Sequence, residues 1–75
     1  MYYYKKDIMR ELSSRGYTRK KLRESKILSE TTMQNIKHNK NITLDTINTL
    51  CLILRCQPSD LIEIIPTDQE KIKYF

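Results

Sequence analysis

The side chains best suited to chemistry in this sequence are hydrogen-bonding groups that recur at helical spacing between residues 29 and 39. They are Thr31, Gln34, Asn35 and His38. Intervals of three and four place all of them on one face of a helix, while Met33 and Ile36 fall on the opposite face. We therefore predict a helix that buries one side and exposes a row of hydroxyl, amide and imidazole groups on the other.

These side chains have chemical counterparts on DNA. The amides of Gln34 and Asn35 can each form two hydrogen bonds to adenine in the major groove. Thr31 and Thr32 can meet a thymine methyl group or a phosphate, and Glu30 can accept a hydrogen bond from the amino group of cytosine. The polar face alone fits an ordinary amphipathic surface helix better, so the prediction of DNA binding depends on the rest of the chain.

The charge of the chain is strongly asymmetric. Residues 1–41 contain eleven lysines and arginines against four acids, whereas residues 42–75 contain three against five. A basic half of this kind favours a polyanionic partner, although lysine-rich surfaces are often only solubilising. The second half is expected to be structural or self-associating.

Few features indicate other functions. The 75 residues suffice for one small domain, and they show no nucleophile–base pair, carboxylate pair or metal-ligand spacing. Cys51 and Cys56 are therefore predicted to be structural thiols, and His38 an exposed residue at a helix end. We expect a non-enzymatic protein without cofactor, metal or evident effector site. We also expect it to be soluble and cytoplasmic, because the sequence shows neither a signal peptide nor a membrane span.

Five helices are predicted, separated by cap and turn residues. Helix 1 is expected over residues 5–15, with Gly16 as its left-handed terminator. Helix 5 is expected to begin at Pro58 and to be stopped by Pro66. The predicted N-caps of helices 2, 3 and 4 are Thr18, Ser29 and Thr43. Predicted core positions are Ile8, Leu12, Leu22, Leu28, Met33, Ile36, Leu44, Ile47, Leu50, Cys51, Leu54, Leu61 and Ile64.

The two ends of the chain are less regular. The tyrosines at residues 2–4 favour an extended segment that packs on the domain or pairs with the C-terminal tail. Residues 66–75 fit either a short helix or a strand. The whole chain, residues 1–75, is predicted to be one domain with its helical core over residues 5–65.

The order of these residues resembles a known family. The patterns T-x-x-x-L at residues 18–22 and S-x-x-T-M-x-x-I at residues 29–36 are similar to the lambda-repressor-like, Cro-type helix-turn-helix (XRE) family. The segment ITLDTINTLCLILRCQPSDLIEIIP resembles its small single-domain branch, which has a Cys-Gln-Pro-x-Asp turn between helices 4 and 5. The resemblance implies a compact all-α fold of five helices, with the helix-turn-helix formed by helices 2 and 3. It also implies operator binding as a two-fold dimer.

The resemblance also implies roles for individual residues. Glu30, Thr31 and Asn35 match base-contacting positions of the family, and Arg19 matches a position that contacts the DNA backbone and sometimes a base. The full predicted base-contacting set is Arg19, Glu30, Thr31, Thr32, Gln34 and Asn35. The predicted phosphate-contacting set is Thr18, Lys20, Ser29, His38, Lys40 and Asn41. The expected partner is double-stranded DNA with a palindromic operator.

Three residues depart from the family pattern. Arg23 stands where the family usually has a small residue, so its charged head is expected to point outward. Ile27 stands where the family usually has glycine, and a β-branched residue tolerates positive φ poorly, so the turn is expected to differ in shape. Asn39 also stands in place of a glycine but accepts positive φ.

Apolar residues in the second half predict dimerisation. The predicted dimer contacts are Leu52, Ile53, Ile62 and Ile65. A monomer would expose them as a patch, whereas a two-fold homodimer would bury the patch and hold two reading helices about 34 Å apart. The alternative is that the tail, with Ile72, Tyr74 and Phe75, folds back over them.

The sequence therefore predicts a sequence-specific transcriptional regulator that reads the major groove with helix 29–38 as a two-fold dimer. Repression is the expected output, although no residue of the sequence decides between repression and activation. The alternative is a protein-interaction module on the same fold, such as an antitoxin or an adaptor.

Overall fold

The computed structural model describes residues 1–75 and contains six helices and two short strands. In chain order the elements are β1 (Tyr2–Tyr4), α1 (Ile8–Ser14), α2 (Arg19–Glu24), α3 (Glu30–Lys37), α4 (Leu44–Leu54), α5 (Pro58–Leu61), β2 (Ile62–Ile64) and α6 (Asp68–Tyr74). Helices lie at all five predicted places. The helix-rich structure fits the predicted all-α class, whereas the strand pair and the sixth helix differ from the predicted count of five helices. None of the helices combines the length and the apolar character needed to cross a membrane.

The starts of α2, α3 and α4 follow the predicted caps. The hydroxyl oxygens of Thr18, Ser29 and Thr43 accept hydrogen bonds from the backbone N–H three residues later, at 3.2, 3.1 and 3.1 Å. Each bond satisfies one of the N–H groups that the first turn of a helix leaves unpaired. These three predictions are confirmed.

The ends of α1, α2 and α3 share one arrangement, in which a residue with positive φ follows the last turn. These residues are Gly16 (φ 84°), Lys26 (φ 59°) and Asn39 (φ 54°). The next residue donates its N–H back into the helix, for example from Ile27 to the Leu22 carbonyl at 3.0 Å, which is the Schellman motif. The predictions for Gly16 and Asn39 are confirmed. In the turn after α2, Lys26 takes the left-handed conformation, and Ile27 packs half-buried against the core.

One contiguous apolar cluster joins α1 through α5. Its buried members are Ile8, Leu12, Leu22, Leu28, Met33, Ile36, Leu50, Leu54 and Leu61, and Ile47 is buried outside this cluster. The core prediction is confirmed at these ten positions and is wrong at Leu44 and Ile64, which are 86% and 65% exposed. Leu44 is the first residue of α4, and the buried residues of this helix begin only at Ile47. Cys51 is half-buried rather than buried.

The segment Ile62–Ile64 is a strand and not a continuation of helix 5. Helix α5 is a single turn that ends at Leu61, and β2 then pairs antiparallel with β1, with Tyr3 opposite Glu63. Isoleucines favour extended backbone, and the predicted extended tyrosine segment supplies the partner strand. The pairing continues to Lys5, whose N–H donates to the Leu61 carbonyl at 2.7 Å.

The C-terminal tail forms the helix α6. Thr67 is its N-cap and makes a reciprocal capping box with Glu70. No residue of α6 is buried, and Ile72, Tyr74 and Phe75 are exposed. The tail therefore does not fold back over the apolar residues of the second half, and that alternative is wrong.

Candidate nucleic-acid interface

The predicted polar face of α3 is exposed to solvent. Its four residues, Thr31, Gln34, Asn35 and His38, span an arc of about 100° on a helix of 3.6 residues per turn. Asn35 is half-buried and the other three are exposed, while Met33 and Ile36 are buried on the opposite side. The side-chain hydrogen bonds near this helix are made by other residues, at the start of α3 and at Asn39 just after its end. The donors and acceptors of this exposed arc are therefore free for a ligand.

Hydroxyl groups from both predicted contact sets hold the starts of α2 and α3. Ser29 Oγ donates to Thr32 Oγ1 at 2.9 Å and accepts from the Thr32 N–H. Thr18 Oγ1 accepts from the Lys21 N–H. Thr32 is half-buried and lies outside the exposed arc. Because a hydroxyl can donate while it accepts, the protons of Thr18 and Thr32 remain available to a phosphate.

Glu30, the first residue of α3, binds both arginines of α2. Its Oε2 accepts from Arg19 Nη2 at 3.0 Å, and its Oε1 accepts from Arg23 Nη1 at 3.1 Å. The hydrogen bond from Arg19, supported by that from Arg23, holds the pKa of Glu30 below its ordinary value. Each carboxylate oxygen keeps acceptor capacity beyond these bonds. The cluster therefore links α2 to α3 and still presents acceptor atoms.

The outward orientation predicted for Arg23 is confirmed, with its side chain 54% exposed. Its partner Glu30 was not predicted. The sequence does contain a signal for these ion pairs. Glu30 is an acid at the first position of its helix, and the preceding helix carries Arg19 and Arg23. Because both arginines converge on one carboxylate, Glu30 has a positioning role that its predicted base contact did not include.

Asn39, just after α3, forms side-chain hydrogen bonds to the outer edge of β1. Its Oδ1 accepts from the Tyr4 N–H at 3.3 Å, and its Nδ2 donates to the Tyr2 carbonyl at 3.1 Å. The carboxamide thus pairs with a backbone N–H and a C=O of β1 that a third strand would otherwise bind. The Tyr4 hydroxyl also donates to the Lys40 carbonyl, and burial raises the pKa of Tyr4. The sequence predicted Asn39 only as a residue of positive φ, since its partners lie far away along the chain.

The cations around α3 are mostly unpaired. The chain contains three ion pairs, two of them made by Glu30 and the third between the Met1 amino group and Glu70. The predicted phosphate contacts include two exposed cations, Lys20 and Lys40, and the exposed amide of Asn41. The surface beside the exposed arc is therefore positively charged and free to bind an anion.

The four predicted dimer contacts fall into two groups. Leu52 is 71% exposed and Ile65 is 48% exposed, whereas Ile53 and Ile62 are half-buried and pack against the core. Leu52 and the exposed Leu44 border a groove of about 330 Å³ along α4 and the start of α5. Leu44 and Leu52 therefore form an exposed apolar surface on α4, and Ile65 is exposed beyond β2.

Cys51 and Cys56 are free thiols, both half-buried. Burial, followed by the neighbouring Cys56, raises the pKa of the Cys51 thiol. A thiol of raised pKa carries little thiolate at neutral pH and is correspondingly unreactive. This environment suits the structural role predicted for Cys51.

A small basic helical chain with a free hydrogen-bonding arc on one helix has the features of a DNA-binding domain. A family model for the Cro/C1-type HTH DNA-binding domain matches residues 7–67. The chain belongs to this family, which confirms the resemblance to Cro-type regulators and makes DNA its partner. No curated protein and no solved structure matches the chain.

Proposed function

We propose that this chain is a sequence-specific repressor of transcription that places α3 in the major groove of double-stranded DNA. In this proposal α2, α3 and the turn between them are the helix-turn-helix. The observation that carries the proposal is the exposed arc of α3, whose amide and hydroxyl groups have no partner within the chain. An α-helix fits the major groove, and the unpaired lysines beside the arc suit the phosphates on either side.

Thr31, Gln34 and Asn35 are the proposed base-reading residues. Either amide can bind adenine through both its donor and its acceptor, and the methyl group of Thr31 can contact that of thymine. A good bidentate contact discriminates against the wrong base by about 1–3 kcal/mol. Truncation of either amide is therefore expected to relax specificity at one base pair without removing general DNA affinity.

Arg19 and Glu30 act as one unit in this proposal. Glu30 has acceptor capacity left for a cytosine amino group, and the Arg19 guanidinium has donors left for guanine or a phosphate. Arg23 holds the carboxylate from the other side at 3.1 Å. A G·C pair presents both partners in the major groove, so this unit fits such a pair.

The remaining proposed contacts fix the position of the protein on the DNA backbone. They are Thr18, Lys20, Ser29, His38, Lys40 and Asn41, with Thr32 beside them. These residues lie at the starts of α2 and α3 and just after α3. Contacts of this kind set register and orientation but carry no sequence information.

The proposal includes a two-fold dimer that uses the second half of the chain. Leu52 is exposed on α4, and Ile65 is exposed beyond β2. Ile53 and Ile62 are half-buried and pack against the core, so they would contribute only their exposed parts. Burial of the surface against a second copy would set two reading helices about 34 Å apart, so the operator is expected to be palindromic.

The double substitution Thr31→Ala with Asn35→Ala tests the reading role. The wild type is expected to prefer its selected site over random duplex by at least ~10³-fold, and the variant is expected to lose most of this preference while it keeps nonspecific binding. Ser13→Ala with Gln69→Ala is the control, because it removes an exposed hydroxyl from α1 and an exposed amide from α6, both outside the proposed contacts. Competition fluorescence anisotropy measures the ratio. A variant with unchanged preference would contradict DNA reading by α3 and favour a protein-interaction module.

A further inference from the structure

A cleft of about 510 Å³ lies beside α3, between its C-terminal end and the starts of α1 and α2. Three cations from separate parts of the chain line it: Lys6 before α1, Arg19 at the start of α2 and Lys37 at the end of α3. Only Arg19 was among the predicted contacts with DNA. The cleft thus brings Lys6 and Lys37 together next to the proposed reading helix.

The polar groups of this cleft differ in how they are used. The carboxylate of Asp7 caps α1 by accepting from the Arg10 N–H at 3.2 Å, and the Asn39 amide is bound to β1. The Tyr4 hydroxyl donates to a backbone carbonyl. The side chains of Lys6 and Lys37 are exposed and belong to none of the three ion pairs. The groups left for a ligand are therefore two ammonium ions, which select an anion.

The position of the cleft narrows the choice of anion. On the helical wheel of α3, Lys37 lies about 60° beyond Gln34, at the edge of the exposed arc. Arg19 forms another wall of the cleft. A ligand here runs alongside the bases that the arc would read. The apolar floor, with Ile8 and Ile36, suits a ligand whose charges are separated by less polar groups, as phosphates are by deoxyribose.

We infer that this cleft receives the sugar–phosphate backbone of one DNA strand while α3 occupies the adjacent major groove. Lys6 and Lys37 are then phosphate-binding residues, with Arg19 between the backbone and the Glu30 unit. The inference rests on the proposed function, because it assumes that α3 faces DNA. It adds Lys6 and Lys37, on the α1 side of α3, to the backbone contacts already proposed at the start of α2 and in the loop after α3.

The double substitution Lys6→Gln with Lys37→Gln tests this cleft. Each phosphate contact contributes about 0.9 to the slope of log affinity against log salt, so the slope is expected to fall by about 1.8. If the lost binding is purely counterion release, affinity for a short random duplex falls about 60-fold in 0.1 M salt. Lys71→Gln with Lys73→Gln removes the same charge from α6 and is expected to leave the slope unchanged. Fluorescence anisotropy titrations at several salt concentrations give all three slopes.

A slope equal to that of the wild type would overturn the inference, as would an equal decrease in the α6 control. Lys6→Arg with Lys37→Arg keeps both charges and should retain the wild-type slope; a lowered slope in this variant would also overturn it. The result is separable from the reading role. Loss of sequence preference without a change in slope bears on the exposed arc, whereas a lowered slope with the preference retained supports the cleft.

Discussion

Substitution of Asn39 tests how β1 is fastened to the end of α3. Asn39→Ala removes two partly exposed hydrogen bonds, of 3.3 and 3.1 Å, and places alanine at a φ of 54°. Because water can replace part of each bond, their joint loss is expected to cost about 1–2 kcal/mol. The left-handed backbone costs alanine about 1 kcal/mol more. Asn39→Ala should therefore lower the free energy of unfolding by about 2–3 kcal/mol, and Asn39→Gly by about 1–2 kcal/mol.

Lys26→Gly is the matched control for this pair of variants. Lys26 has nearly the same backbone, with a φ of 59°, but its side chain is exposed. Glycine at this position should stabilise the chain by about 0.5–1 kcal/mol, because it relieves the strain and removes no partner. Thermal unfolding measures the series, since 1 kcal/mol corresponds to about 4–8 °C in a chain of this size.

Two results would refute the reasoning on Asn39. If Asn39→Gly stabilised the protein as Lys26→Gly does, the carboxamide bridge to β1 would contribute nothing. If Asn39→Ala and Asn39→Gly were equally stable, the left-handed conformation would be wrong.

Other predictions concern the ion pairs, the core and the dimer. Glu30→Gln should reduce the loss of stability in acid. The pKa of Glu30 is lowered in the folded state, so its carboxylate stabilises the protein above the unfolded pKa of about 4.3, and this stabilisation is lost as the pH falls through the folded pKa. Thermal melting temperatures that fall in parallel with pH for the wild type and the variant would contradict this prediction. Leu50→Ala should lower the free energy of unfolding, measured in urea, by about 2–5 kcal/mol, because Leu50 is fully buried. Leu44→Ala should lower it by less than about 0.5 kcal/mol, because Leu44 is exposed. Equal decreases would show that α4 is rotated about its axis. Leu52→Lys should sediment as a monomer, whereas a chain without residues 67–75 should remain a dimer. A dimeric Leu52→Lys variant together with a monomeric truncated chain would place the interface on α6.

Sequence reasoning succeeded where neighbours along the chain decide the structure. The hydroxyls of Thr18, Ser29 and Thr43 cap their own helices, and Gly16 ends α1, through bonds that span only a few residues. The exposed arc and the buried side of α3 likewise follow from periodicity within one helix. Local hydrogen bonds and helical spacing contain this information directly.

Sequence reasoning failed where a distant partner decides the structure. Ile62–Ile64 is extended because the tyrosine strand near residue 3 pairs with it, 60 residues away in the chain. Asn39 reaches the same strand, 37 residues from Tyr2, and no local pattern indicates that contact. Leu44 continues the apolar spacing of α4 but lies at the first position of the helix, before the helix meets the core. Periodicity predicts which side of a helix is apolar and not where along its length the core begins.

Selection of bound sequences from a pool of random duplex DNA tests the central claim most directly. The proposal predicts strong enrichment of one palindromic site, whose half-sites are centred about 10–10.5 base pairs apart. It also predicts that the enriched site loses its advantage with the Thr31→Ala, Asn35→Ala double variant. A pool that shows no enrichment, although the protein is folded and binds DNA in low salt, would contradict sequence-specific reading by α3.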